Sequence, residues 1–212
     1  MKSFVPNSEK YDFFNQKILL TRDPRDHIIS RLLYLPYNIA LGLTNYYVPE
    51  PEQVLNGLLD LLEKKEKDPH SVSMIELVNQ ANRLTIDKYL DNMISYYDRH
   101  PDIFILRYED YVDGKLEAVS KYLRLNLAIA EKVPETRVVR SRAYGNWKNW
   151  FTPEDIDHFR NSYLSYMNVF DYPDTWDLNK APVIDPETSS HYVRKLITEA
   201  RDTKASLSNS LK

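Results

Sequence analysis

A helix-rich α/β fold, a parallel sheet with flanking helices, is what this sequence predicts, on three observations. Two short apolar runs, Lys17–Thr21 and Ile103–Tyr108, have the length and composition of buried strands. The chain between and after them carries apolar residues at helical spacing. Hydrophobic residues are 42% and charged residues 28% of the 212, as in a water-soluble globular domain. Strands separated by helices point to parallel pairing. A covered parallel sheet usually has about five strands, so either further strands go unread or the chain lacks part of its sheet.

The first strand, Lys17–Thr21, stops at Arg22-Asp23-Pro24, where a helix begins. Asp23 suits the N-cap, Pro24 the first helical position, and Asp26 the third, like a capping-box acid. Ile28, Ile29, Leu32 and Leu33 form its apolar stripe, and the helix is expected to end near Pro36. Tyr34–Pro51 is aromatic and proline-punctuated and reads as an ordered loop. Glu52–Lys65 reads as a helix with Val54, Leu55, Leu58, Leu59 and Leu62 inward, and the charged run Glu63–Asp68 as its solvated end. Ser71–Asp98 predicts one long amphipathic helix or a broken pair. After the second strand comes a short helix over Lys115–Leu125, then an irregular basic stretch, Arg137–Phe151. Thr152 and Asp155 cap a helix from Pro153 to about Phe170; Tyr172–Asp185 is loop; Pro186–Ala200 is the last helix; Asp202–Lys212 is a polar tail.

Counts exclude several chemistries. With no cysteine there is no disulfide, thiolate nucleophile or Cys-ligated metal centre. The four glycines are too far apart for a Walker A loop or a dinucleotide fingerprint. The five histidines are too dispersed for a helical two-His metal site, so no metal ligand is assigned. A net charge of -3 makes no electrostatic case for nucleic acid or an anionic membrane as main partner. No apolar run approaches the roughly 18 residues that span a bilayer, and Met1–Lys10 has no signal-like apolar region, so a cytoplasmic location is expected.

Two segments could carry chemistry. Arg22 stands at a strand end before a helix start, with Ser30 further along that helix. A helix start offers free N–H groups and partial positive charge; an arginine fork and a serine hydroxyl complete a plausible phosphomonoester pocket. Equally, Asp23, Pro24 and Asp26 are capping residues and Arg22 an ordinary sheet-end arginine. The second segment, Arg140–Phe151, joins Arg140, Arg142 and Lys148 to Trp147, Trp150 and Phe151, with Gly145 permitting a tight turn. It reads as a loop closing over an anion, or as a surface loop pinned by aromatics in the core.

Taken together, Arg22 with Ser30, then Leu106-Arg107-Tyr108-Glu109-Asp110, then Arg140, Gly145, Trp147, Lys148, Asn149 and Phe151 resemble, in family order, the cytosolic-type sulfotransferases that use 3′-phosphoadenosine-5′-phosphosulfate (PAPS). The resemblance spans Lys17 to about Phe170. It implies a P-loop-NTPase-like sulfotransferase fold over 1–202 with a polar tail at 203–212. It also implies transfer of a sulfuryl group from PAPS to an acceptor hydroxyl or amine, without metal. Arg22, Ser30 and Arg140 would hold the 3′-phosphate with Arg142 assisting, and Gly145 and Trp147 would shape the cap over the nucleotide. The acceptor is expected to be a small molecule or glycan, with Tyr34–Tyr47 bordering its pocket.

The departures are specific. Ser141-Arg142 replaces the family's Lys-Gly and Asn146 its aspartate, and the stretch between Leu125 and Arg140 is short. Nothing before Arg22 resembles the Pro-Lys-x-Gly-Thr-Thr loop that holds the phosphosulfate, and no histidine precedes His27 to serve as base. His27 itself reads as a surface residue, so no catalytic residue is assigned. The expectation is a domain truncated at its N-terminus and lacking its first strand. The alternative is a catalytically inactive descendant serving as a nucleotide-binding or protein-interaction module, whose exposed sheet edge favours a homodimer or a completing chain.

Overall fold

The computed structural model describes residues 14–43, 48–81, 84, 86–129 and 143–210. Among them, helices dominate and the sheet has two parallel strands, β1 (Ile18–Thr21) and β2 (Phe104–Arg107). The helices are α1 (Pro24–Leu41), α2 (Pro51–Lys67), α3 (Met74–Gln80), α4 (Asp87–Arg99), α5 (Tyr108–Val112), α6 (Glu117–Leu123), α7 (Trp147–Trp150), α8 (Pro153–Val169) and α9 (Ser190–Ser210). Contacts group the chain into two compact units: Met1–Pro24, Ile86–Tyr144 and Asn161–Thr175 form the first; Arg25–Thr85, Gly145–Arg160 and Trp176–Lys212 form the second.

The first unit holds the sheet. Ile18 pairs with Phe104 and Leu20 with Leu106. Phe104 N–H donates to Lys17 C=O at 3.0 Å. Along β1 burial alternates: Leu19 and Thr21 are buried, Ile18 and Leu20 exposed. This is the period-two pattern of a strand covered on one side. Helix α6 brings Tyr122 against Phe104, ring centroids 5.1 Å apart. The Tyr122 hydroxyl also takes Lys17 N–H (3.0 Å) and donates to Lys17 C=O (3.2 Å), tying the start of β1 to α6. Gly114, at φ +75, makes the turn that separates α5 from α6.

The second unit is helical. Leu55, Leu58, Leu59 and Leu62 bury one face of α2, and Val193, Leu196, Ile197 and Ala200 one face of α9. Antiparallel pairs fasten α2 to α9: Glu52 with Arg201, Glu63 with Arg194, and Glu66 accepting from Ser190 N–H (2.8 Å) and hydroxyl (3.1 Å).

Four expectations need correcting. Helix α1 runs through Pro36 to Leu41 instead of stopping there, so Tyr34–Leu41 is helix, not loop. A helix-interior proline costs about 3 kcal/mol, but continuing the helix buries Tyr37 against Leu196 and Ala200, along with Leu35 and Ile39. Each such side chain contributes about 1.5–3 kcal/mol, which offsets the proline. Glu63–Asp68 is not wholly solvated: Lys65 is fully buried, its ammonium donating to Pro69 C=O (2.7 Å) and to Val72 C=O. Of the two forms expected for Ser71–Asp98, the broken pair is the one present, as α3 and α4, with Ser73 and Glu76 closing a capping box on α3. The basic stretch ends in order rather than irregularity, as Trp147–Trp150 forms one helical turn. The expected polar tail from Asp202 is helical through Ser210, and its serines and threonines return their hydroxyls to carbonyls one turn back: Thr203 to Glu199 (2.7 Å), Ser206 to Asp202 (3.0 Å).

No helix among the described residues is long and apolar enough to cross a membrane. No group of three or more His, Cys, Asp or Glu among them could hold a metal ion.

Candidate functional site

Arg22 closes β1 in the first unit, and a clasp of hydroxyls and one carboxylate surrounds it. Glu109, in the first turn of α5, accepts Asp23 N–H (3.0 Å) at one oxygen and the Tyr172 hydroxyl (3.0 Å) at the other. Because the Tyr172 hydroxyl donates there, the Thr21 hydroxyl, 3.2 Å away, donates to it. Burial and the adjacent Glu109 carboxylate both push the Tyr172 phenol well above its ordinary range. The Tyr166 phenol is pushed up too, chiefly by burial; its oxygen lies 3.4 Å from the Arg22 N–H it accepts. The Arg22 guanidinium sits 4.5 Å from the centre of the Tyr108 ring, and its Nε is buried without a hydrogen-bond partner among the described residues. Next along β2, Arg107 donates to Asp110 (3.0 Å) and to Asp171 C=O (3.1 Å). Donating to the Asp110 carboxylate raises the Arg107 pKa. The Leu106–Asp110 segment thus works as a brace across the ends of the two strands.

In the second unit, Asp26 reaches a segment far away in sequence. Its buried carboxylate accepts Gly145 N–H (2.5 Å) and Trp147 N–H (3.0 Å), capping the turn α7 from another element. Asp26 stands in the first turn of α1, as expected, and from there also caps this distant element. Arg25, also buried, lies over two indoles, 4.0 Å from the Trp147 ring and 5.0 Å from the Trp176 ring. Stacking suits a guanidinium that is weakly hydrated and planar. Phe151 and Phe159 extend this aromatic group. Gly145 has φ +77 with nothing within 4 Å of where a Cβ would stand, so backbone conformation and not space calls for glycine.

The predicted site residues are distributed as follows. Arg22 belongs to the first unit; Ser30, Gly145 and Trp147 belong to the second. Gly145 and Trp147 are brought together on Asp26, while Ser30 is half-buried one helical turn beyond Asp26 on α1. Arg140 and Arg142 lie outside the described residues, as do Thr44–Tyr47 of the expected acceptor border. From that border, Tyr34 stacks on Tyr37 at 5.6 Å, and Tyr37 is buried. Trp147, Trp150 and Phe151 are all buried, which is how the core-pinned version of this loop places them.

Sequence reasoning missed two residues. Asp155 was legible as a cap of α8, and its carboxylate does take Thr152 N–H (2.7 Å) and the Thr152 hydroxyl (2.9 Å). It also caps α3, accepting Met74 N–H and Ile75 N–H at 3.0 Å each. Lys65 was hidden in a charged run. Burial pulls its amine down to about 8, against the opposing pull of Asp155, Glu76 and Asp68.

No family model matches the chain, and no solved structure matches it. Among curated proteins, the chain is similar to the small ribosomal subunit protein uS15m of Drosophila melanogaster, 25% identical over 147 residues. The match covers 68% of this chain and 47% of that protein, so the chain spans about half the length of the relative. This overturns the expected sulfuryl transfer, the assignment as an enzyme and the PAPS-linked description: the curated relative is a ribosomal protein and not a sulfotransferase.

Proposed function

We propose that this chain is a non-catalytic component of a ribosome-type assembly, held there by contacts with a protein partner. The likeness to a small-subunit ribosomal protein carries this reading. The geometry supports it in kind. Glu109, Asp26 and Asp155 each spend their carboxylates on backbone N–H groups of the chain itself, as a structural scaffold would. A net charge of -3 favours a protein partner over a direct grip on RNA phosphates. The resemblance of the β1–α1 and β2–α5 segments to the sulfotransferase layout enters only as a proposal about the ancestry of those segments, with no transfer chemistry attached.

Co-sedimentation tests the reading. Purified chain is mixed with small ribosomal subunits, cytoplasmic in one series and mitochondrial in the other, and run through a density gradient. The expected result is saturable co-migration with one of them that survives raised salt. Compartment is read from which series binds: the sequence expectation was cytoplasmic, and the relative is mitochondrial by name. Free chain at the top of both gradients overturns the proposal. Co-migration abolished by modest salt, or reproduced by naked ribosomal RNA, replaces the protein partner with RNA.

A further inference from the structure

Among the described residues, β1 pairs with β2 along one edge and with no strand along the other. In a parallel ladder, alternate residues of a strand direct their peptide groups toward the partner. Phe104 N–H donates to Lys17 C=O in the register Ile18↔Phe104, so Lys17, Leu19 and Thr21 face β2. The peptide groups of Ile18 and Leu20 therefore point away from β2, and no described residue hydrogen-bonds them. Their side chains are open as well, Ile18 at 39% exposure and Leu20 at 44%. The cover that Tyr122 of α6 supplies reaches Phe104 on β2. A parallel pair normally has both faces covered and further strands beside it, so this edge is a ready template for an added strand.

Charge selects the occupant. Lys17 and Arg22 bracket the uncharged run Ile18–Thr21, and neither has an ionic partner among the described residues. The nearby carboxylate of Glu109 is already held by Asp23 N–H and the Tyr172 hydroxyl. Five residues of strand separate the two cations by about 17 Å. A second copy of this chain fits poorly. In an antiparallel pairing about a two-fold axis, Lys17 of one copy would stand opposite Arg22 of the other, and directly opposed like charges destabilise a pair.

We infer that the outer edge of β1 binds an extended segment of a partner protein, with apolar residues at alternate positions and a carboxylate at each end of the four-residue core. Peptide groups of Ile18 and Leu20 complete the ladder, Ile18 and Leu20 side chains pack on the alternate apolar residues, and Lys17 and Arg22 receive the flanking acids. Both flanks of β1 are cationic, so the acids could pair in either direction, but apolar residues at the first and third core positions meet Ile18 and Leu20 only when the segment runs parallel to β1. The inference rests on the reading of the chain as a docking component. A peptide titration reads the edge alone while co-sedimentation reads the assembly, so each can fail without the other.

The probe is the blocked peptide Thr-Glu-Val-Thr-Val-Thr-Glu-Thr, titrated into the full chain by calorimetry, with lysines in place of both glutamates as the control. Saturable binding of the acidic peptide is expected, with the control about tenfold weaker. Hydrogen exchange at Ile18 and Leu20 N–H should slow on binding. Leu20→Pro removes an N–H that β2 does not use, and should weaken binding about fivefold to tenfold with the circular dichroism unchanged. Lys17→Glu provides a second readout that leaves the ladder untouched: with Arg22 still cationic, it should abolish the preference between the two peptides. Absence of binding overturns the inference, as does equal affinity for both peptides or binding that leaves Ile18 and Leu20 unprotected. Self-association of the free chain that Leu20→Pro abolishes gives the edge to a second copy. Binding of a uridine oligonucleotide that depends on Lys17 but not on the Leu20 N–H gives the cations to RNA.

Discussion

The two units answer the same physical problem in different ways. Every strand end and helix start leaves backbone N–H groups that need acceptors. In the second unit one buried carboxylate, Asp155, serves two helices at once, and Asp26 caps a helical turn 119 residues away. In the first unit the half-buried Glu109 braces the strand ends with help from the Tyr172 and Thr21 hydroxyls, and no described residue takes the outer peptide groups of β1. The difference teaches where stability is concentrated: buried carboxylates cap the helix starts of the second unit, and the first unit leaves one strand edge without a partner among the described residues.

The largest expected effect is on the double cap. Asp155→Ala strands Met74 N–H, Ile75 N–H and Thr152 N–H in a buried setting. It should cost about 4 kcal/mol in denaturant unfolding. A cost below about 1 kcal/mol would remove the contrast between the units.

Lys65 comes next and sharpens the comparison with pH. Its folded value of about 8 lies below the unfolded 10.5. Charged amine therefore costs stability below pH 8, and that cost fades as pH climbs toward 10.5. Relative to Lys65→Met, the wild-type chain should gain on the order of 2–3 kcal/mol between about pH 7 and pH 10. A flat difference between the two stability curves across that window would mean that the burial of Lys65 carries no such cost.

Glu109→Ala follows, at about 2 kcal/mol, because its carboxylate accepts one N–H and one hydroxyl in a half-buried place. Should it equal Asp155→Ala, the first unit is as tightly closed as the second. Gly145→Ala is the smallest, roughly 1–2 kcal/mol from the left-handed φ alone, since the space beside it is open. Gly145→Asn should recover part of that loss, which a purely steric cause would not allow.

Much of the local architecture was legible. Both strands, the start of α1 at Pro24, the apolar face of α2 and the Thr152–Asp155 box on α8 followed from periods of two and 3.6 residues and from capping chemistry. Those signals act over three or four residues, so the sequence shows them directly. Pro36 misled because its local cost was outweighed by Tyr37 meeting α9. Lys65 misled because a lysine in a charged run reads as solvated until the Pro69 and Val72 carbonyls turn back onto it. The motif resemblance misled about function for a related reason: Trp147 and Gly145 recur in a familiar order, yet in this chain their hydrogen bonds and ring contacts serve Asp26, Arg25 and the aromatic core.

By itself, then, the sequence determined the helix-rich α/β class and the position of most helix starts, because each depends on neighbours within one turn or one pleat, and the parallel sense of the two strands, because a helical connection separates them. Only the tertiary structure decided which donors Asp26, Glu109 and Asp155 accept, that Lys65 is buried, and that β1 pairs along one edge alone among the described residues. Each of those depends on what residues tens of positions away bring alongside, and hydrogen-bonding capacity read from a side chain does not say where its partner will be.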